Sequence, residues 1–337
     1  NFTGSDAFTY FVSDGDSYIF VTQNVSVSEP AVPAGQGSLA WEYETVDGEI
    51  SGPPAYFNGV LYFGTFVGNT NIYAIDLLGN LIDIMNIGMN SESAPLINVH
   101  SDCTVQLVNN TVYNGGLLNE ETNTDIIDGV TLSERLGTYA MNLNTSDGSF
   151  GTMDWGNSSS AFGRDSSPGT NTDGSVIYTA DVWHSETQSG IPYLTVIDAE
   201  TGETLQAIQR DGWTYSSSVF LPDYRTNSVR DGTVFIGGAK PDFDDSIGIW
   251  DGNGGTGVIR AYHANSDGLL DETPVWEFVD LEAPINRGPS VVQSPFGTLI
   301  LFGNGAGSLR AANPETGEIV WEVHTGSVGF GTIVSSN

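Results

Sequence analysis

The 337-residue sequence has almost no lysine: Lys240 stands alone, with eight arginines beside it, against 42 acidic residues. The net charge of −33 therefore comes from missing cations rather than from acidic runs, since charged residues make up only 15% of the chain against an average of ~25%. So cation-poor a surface excludes nucleic-acid binding, which needs clustered Lys and Arg against phosphate. It also argues against anionic membranes, and it favours solubility in salty water and divalent-cation binding. Cysteine is nearly absent too. Cys103 is the sole one, which excludes an internal disulfide, a CxxC pair and a CxxCH haem attachment, and it is expected to be a small buried apolar residue. No run approaches the ~20 apolar residues that cross a bilayer. The four histidines, His100, His184, His263 and His324, lack HxH or HExxH spacing, so no zinc site is expected. No GxSxG, P-loop or dinucleotide fingerprint occurs; the GNGGTG at 252–257 precedes a strand pattern, not a helix. Residue 1 is Asn and no basic-then-apolar leader follows, so the expectation is a mature or excised portion of a longer protein.

Glycine, by contrast, is abundant at 42 residues, and aromatics reach 11%. That mixture suits many short strands joined by tight turns. Internal repeats decide the arrangement. LRAANPETGEIVWEV (309–323) reads as strand, turn, strand, and it recurs as LTVIDAETGETLQAI (194–208). Weaker copies are IYAIDLLGNLIDIM (72–85), TYAMNLNTSDGSFGTM (138–153) and IRAYHANSDGLLDETPVWEF (259–278). Aligning them places Asp76, Asn142, Asp198, His263 and Asn313 at one turn position. Upstream of each lies a second phrase, a small residue or Pro followed by strand, turn and strand, as in GPPAYFNGVLYFGT (52–65) and GPSVVQSPFGTLILFG (288–303). Each unit then holds four short antiparallel strands, a propeller signature at a period of ~40–50 residues with insertions.

The expected fold is all-β: a β-propeller over 38–337 with five readable blades, starting near Gly52, Ser93, Ser166, Ser216 and Gly288. A composite or incomplete sixth blade would be stitched from SLAWEYET (38–45) and SVGFGTIVSSN (327–337). Closing the ring would cover sheet edges otherwise unpaired. Residues 1–29 alternate as a separate strand pair, and 30–37, with Pro30, Pro33 and Gly35, form a linker. Two strands cannot bury a core alone.

The phrases VIDAETGETL (196–205) and AANPETGEIVW (311–321) resemble the repeat of pyrroloquinoline-quinone-type propellers. GSDAFTYFVSDGD…NVSV resembles the closing strands of cadherin-like, immunoglobulin-type repeats in large microbial surface proteins. The first resemblance implies a propeller family with both dehydrogenases and non-catalytic scaffolds. A dehydrogenase of that family commonly carries a vicinal cysteine pair, impossible here. Its quinone would also need a basic cluster, whereas Arg164, Arg210, Arg260, Arg287 and Arg310 are scattered.

Candidate sites follow. Asp242, Asp244, Asp245, Asp251 and Asn253 crowd one loop with hard oxygen ligands suited to Ca²⁺, although Ile247 occupies the place an EF-hand reserves for Gly. Asp14 and Asp16 carry a weaker version of the same idea. Trp41, Trp276 and Trp321 fall at blade ends and are expected to pack sheet on sheet. Strand-pairing or anchor positions for a partner are Phe8, Tyr10, Val12, Val25, Val27, Trp183, Trp250 and Ile333. Sequons begin at Asn1, Asn24, Asn109, Asn144 and Asn157. The expectation is a non-enzymatic extracellular or cell-surface structural or adhesive protein. It would be a subunit or segment of a cell-surface or filamentous assembly, its partners copies of itself or other segments of a larger surface protein held by pairing of unpaired strands at its ends, with neither nucleic acid nor membrane insertion. A quinone- and Ca²⁺-dependent oxidoreductase and a carbohydrate- or protein-binding surface propeller are the alternatives.

Overall fold

A computed structural model of the chain describes residues 39–46, 48–50, 52–66, 71–87, 91, 93–111, 137–157, 166–180, 193–210, 216–223, 231–239, 256–285, 288–294 and 297–324, and the backbone of 4–13, 18–27, 126–127, 130–131, 230 and 240. It is all β, without a helix among these residues. Two compact units divide it, one containing β1 (Gly4–Ser13) and β2 (Tyr18–Val27), the other every remaining strand.

Five sheets of four antiparallel strands follow one another along the chain. The first blade is β3 (Ala55–Phe57), β4 (Val60–Gly64), β5 (Asn71–Asp76) and β6 (Leu81–Asn86). The second is β7 (Leu96–Val99), β8 (Val105–Asn110), β11 (Thr138–Leu143) and β12 (Phe150–Asn157), with a small pair, β9 (Ile126–Ile127) and β10 (Val130–Thr131), inserted. The third is β13 (Gly169–Thr170), β14 (Val176–Ala180), β15 (Tyr193–Asp198) and β16 (Thr204–Gln209). The fourth is β17 (Val219–Pro222), β18 (Arg230–Lys240), β19 (Thr256–Asn265) and β20 (Trp276–Asp280). The fifth is β21 (Ser290–Ser294), β22 (Gly297–Gly303), β23 (Ser308–Ala312) and β24 (Ile319–His324).

These sheets pack face to face as the blades of a β-propeller. One buried apolar cluster joins the first blade to the second, others join the second to the third and the third to the fourth, and a fourth joins the fourth to the fifth. Sandwiching explains why VIYTA of β14 and YLTVID of β15 read as continuous apolar runs: both faces of a middle strand are covered. The outermost strands β6 and β16 alternate instead, because one of their sides meets water.

Every β-turn between the third and fourth strands uses one device. An Asp or Asn at its start exchanges backbone bonds with the far side, and a glycine with positive φ closes it: Gly79, Gly148, Gly202, Gly268 and Gly317. The Asp76, Asp198, Asn265 and Asn313 side chains each accept two backbone N–H groups of their own turn. The expected alignment is corrected in two blades. The turn residues there are Asn144 and Asn265. Asn142 lies inside β11 and donates to Asp154, while His263 lies inside β19, 3.7 Å from Asp271. What fixes the turn residue is its distance from the left-handed glycine, not the apolar phrase before it.

A second repeated device explains the small residue at blade entry. Ser93, Ser166 and Ser216 are buried, and each hydroxyl bonds the second strand of its own blade, at Asn110, Ala180 and Gly237 respectively. No ladder among the described residues includes 39–45, expected as an outer strand; Tyr43 packs edge-on against Tyr73, with centroids 6.0 Å apart. The other piece expected for a sixth blade, 327–337, lies outside the described residues. Cys103 is exposed rather than buried, at φ 69° in the turn between β7 and β8, where backbone bonds link His100 with Cys103 and Thr104.

The turn glycines are also packing sites, which separates two substitutions. A Cβ on Gly202 would lie 2.7 Å from the Trp155 ring, whereas one on Gly59, also at positive φ, meets nothing within 4 Å. Gly59→Ala should lose about 1–2 kcal/mol of stability from the left-handed backbone alone. Gly202→Ala should lose about 1–3 kcal/mol more from overpacking, read by denaturant unfolding; equal losses would refute the seam packing.

Candidate functional site: the blade flanks

The ladder register lines up one residue per strand into a row that crosses each blade and faces the next. In the first blade the row is Ala55, Tyr62, Ala74, Asp83, and in the second Leu96, Val108, Ala140, Trp155. The third carries Gly169, Tyr178, Val196, Gln206, and the fourth Val219, Phe235, Ala261, Trp276. The fifth carries Ser290, Leu301, Ala311, Trp321.

In four blades the last residue of this outgoing row is bonded to the blade that follows. Asp83 accepts the Phe150 N–H at 2.9 Å, and Gln206 both donates to the Leu270 carbonyl and accepts its N–H at 2.8 Å. The indoles of Trp155 and Trp276 donate to the carbonyls of Ala199 and Pro314, both at 2.9 Å. Those carbonyls belong to residues one past Asp198 and Asn313, so the two tryptophans use the same point of the Asx–Gly turn. Their rings lie against Gly202 and Gly317, where any side chain would collide. Tyrosines add a parallel bond: Tyr62 donates to the Gly148 carbonyl at 3.0 Å and Tyr178 to that of Gly268 at 2.9 Å. Burial, with Asp147 adding, pushes the Tyr62 hydroxyl up to about 12, so it remains a donor at any physiological pH.

Trp321 differs. It holds the end of the outgoing row, yet it is 37% exposed and meets no following blade among the described residues. β24 as a whole is the most open of the fourth strands, with Val320 and Val323 exposed as well. The first blade shows the converse flank. Its incoming row, Tyr56, Leu61, Ile75, Leu81, corresponds to the second blade's Ile97, Leu107, Met141, Met153. Leu107, Met141 and Met153 are buried under the first blade; in the first blade Ile75 is likewise fully buried, on the face where Tyr43 packs against Tyr73, and the ends of the row, Tyr56 at 59% and Leu81 at 45%, are exposed.

Polar groups complete the seams. Arg310 is buried between the fourth and fifth blades, paired with Asp280 and, at 3.1 and 2.9 Å, with Glu282 and Glu322; its guanidinium lies 5.6 Å from the Phe278 ring centroid. Hydrogen bonds from Ser308, Asn304 and Arg310 hold the Glu282 carboxyl below its ordinary range. Arg260 pairs with Glu277 at 2.6 Å. In the second blade Asn109 links Ser91, Ser93 and Tyr139, and Asn110 links Thr138 to Ser166 and Thr179 of the third blade.

Of the residues singled out from sequence, Trp276 packs as expected, and Trp321 has the register but not the burial. Trp41 lies outside any strand. Phe8, Tyr10, Val12, Val25 and Val27 fall on the β1–β2 ladder opposite Gln23, Val21, Ile19, Asp6 and Gly4. Asp242, Asp244, Asp245, Asp251, Asn253, Trp183, Trp250, Ile333, Asn1, Asp14 and Asp16 lie outside the described residues. Among the sequons, Asn24 is on β2 opposite Ala7, and Asn144 is exposed in its turn. The amides of Asn109 and Asn157 are buried and donate, the latter to Gly202 and Thr204. Trp155, Asp83 and Gln206 were not legible as a set, since only the register brings them to one position, and the Arg310 cluster joins Asp280, Glu282 and Glu322, which no local pattern links.

One seam group is held at a cost. Asp231, at the third–fourth seam, has a buried Oδ2 without a partner among the described residues, and burial, then the nearby Asp173 charge, raise its pKa against the hydrogen bonds from Asn171 and the Thr172 backbone. An acid with a raised folded-state pKa contributes stability below its unfolded value and loses it as pH rises through the folded one. Asp231→Asn should therefore stabilise the protein by about 1 kcal/mol at neutral pH, with the gain fading in acid. Chemical denaturation at both pH values checks this, and a gain that grows in acid would contradict it.

No protein-family model matches the sequence, and no curated protein does. Among solved structures the chain is similar to a quinohemoprotein alcohol dehydrogenase from Comamonas testosteroni, at 11% identity and a TM-score of 0.49, covering 85% of this chain and 45% of that one. It is similar to BamB from Moraxella catarrhalis at 12% identity and a TM-score of 0.41, covering 88% and 80%. It is similar to the Dos1 propeller at 12% identity and a TM-score of 0.44, covering 80% and 56%. The chain thus spans less than half the length of the dehydrogenase.

Proposed function

We propose that the chain is a non-enzymatic extracellular structural or adhesive protein, a subunit or segment of a cell-surface or filamentous assembly joined through unpaired β-strands at its ends. The observation that carries this is the β1–β2 sheet. Ten residue pairs form a ladder of only two strands among the described residues. A two-stranded ribbon is marginal by itself and offers both edges for pairing with another strand. Composition supports the extracellular part, because a cation-poor surface suits salty water. Two of the scattered arginines support the non-enzymatic part: Arg260 is committed to Glu277, and Arg310 to Asp280, Glu282 and Glu322.

Electron microscopy of the native material should show end-to-end filaments or arrays, and dispersed monomers alone would contradict the proposal. Reconstitution with pyrroloquinoline quinone and Ca²⁺ should give neither bound-cofactor absorbance nor dye reduction. Turnover in that assay would favour the oxidoreductase instead.

A further inference from the structure

We propose that Asn58 is a site of spontaneous covalent modification, deamidating through a succinimide with Gly59 and so loosening the seam between the first and second blades. Asn–Gly is the dipeptide whose attacking backbone nitrogen is least shielded, since Gly has no Cβ. It occurs twice among the described residues, at 58–59 and 304–305, in opposite surroundings. Two further copies, at 114–115 and 253–254, lie outside them.

Asn58 and Gly59 are the central residues of the β3–β4 hairpin, closed by the Phe57–Val60 pair, with φ values of 47° and 87°. Positive φ at both positions makes a type I′ turn. Asn58 is exposed, a Cβ on Gly59 would meet nothing within 4 Å, and the Gly59 N–H bonds to none of the described residues. Closing the succinimide ring swings the Asn58 ψ to that of a type II′ turn, whose first central residue has φ about +60° and ψ about −120°. Asn58 already holds the φ, so only the 58–59 peptide plane has to turn over. Type II′ also closes two-residue hairpins, so the Phe57–Val60 pair survives the change. At Asn304–Gly305 every group is tied down. Asn304 is 2% exposed; its amide donates to Asp280 and Glu282, at 2.8 and 3.3 Å, and its carbonyl accepts the Ser308 N–H at 2.8 Å. The Gly305 N–H, on the nitrogen that would attack, is held by the Pro284 carbonyl at 3.0 Å.

In the reaction the Gly59 nitrogen attacks Cγ of Asn58, the Cγ–Nδ2 bond breaks, and ammonia leaves with the proton that the attacking nitrogen loses. Water then opens the ring at either carbonyl, giving an aspartate or an isoaspartate; no oxidant or reductant takes part. The amide that is lost has a partner. Asn58 Nδ2 donates to the Thr145 carbonyl at 3.2 Å, in the turn where Gly148 lies against Val60 and accepts the Tyr62 hydroxyl. A carboxylate has no proton to donate there, and the turn already carries Asp147. The modification needs no partner chain and so stands apart from the assembly proposed above.

Site-resolved mass spectrometry of peptic peptides tests this on the full chain aged at mildly alkaline pH, both folded and in denaturant. In the folded protein Asn58 should convert at least about tenfold faster than Asn304, the difference that one held hydrogen bond makes to a barrier. In denaturant the two should convert at similar rates. Asn58→Gln, whose side chain is too long to close the five-membered ring, should keep its amide. Asn58→Asp, which carries the charge of the product, should show faster amide hydrogen exchange across 144–148 than wild type, with exchange around Asn304 unchanged. An Asn58 that stays an amide in the folded chain while the denatured chain converts, an Asn304 that keeps pace with it, or an Asn58→Asp protein whose exchange across 144–148 matches wild type would each overturn the proposal.

Discussion

A blade of four strands has two faces and no core of its own, so each blade is stable only as the filling between its neighbours. The contact that makes the filling fit is a large side chain on the outermost strand of one blade set against the Asx–Gly turn of the next. Trp155 over Gly202 and Trp276 over Gly317 show why the glycine is there twice over: the turn needs a positive φ, and the ring occupies the space where a Cβ would be. The indole N–H then finds a turn carbonyl, so a large apolar side chain is buried without stranding its polar atom. Asp83 and Gln206 reach the same goal by hydrogen bonds.

This contact has a direction. The row ending in a tryptophan, Gln or Asp always faces the blade that follows, and the incoming row beside it always faces the blade before. The two faces of a blade are therefore unlike, one carrying the anchoring side chain and the other lying beside the turn that receives it. The charge distribution follows the same division. Arg310, in the seam between the fourth and fifth blades, is held by three carboxylates. Such a cluster is costly to desolvate and adds registry more than net stability.

The five blades were legible because each carries two strand–turn–strand phrases, the second around an Asx–Gly turn, and short-range signals of that kind survive in the sequence. Turn chemistry failed as a guide where the phrase was stretched: Asn144 and Asn265, not Asn142 and His263, cap the turns, because extra residues displace the glycine. Trp155 escaped notice because SFGTMDWGN lacks the Thr-Gly-Glu that marks the better repeats, although its register matches that of Trp276. Asn109 reads as a sequon, yet it and Asn110 bridge Ser91, Ser93, Ser166 and Thr179. Partners so far apart along the chain leave no local pattern. Cys103 was misjudged by composition: small apolar residues are usually buried, but this one occupies a tight turn beyond the sheet.

The direction of the blade contact can be measured residue by residue. Hydroxyl-radical footprinting of the full chain reports the accessibility of Trp155, Trp276 and Trp321 in one experiment. Seams that set an outer-strand side chain against the following turn predict that Trp155 and Trp276 react more slowly than Trp321, and that Gly202→Ala raises the reactivity of Trp155 while leaving Trp276 unchanged. A Trp276 as reactive as Trp321, or a Gly202→Ala protein whose Trp155 is as protected as in wild type, would contradict the account.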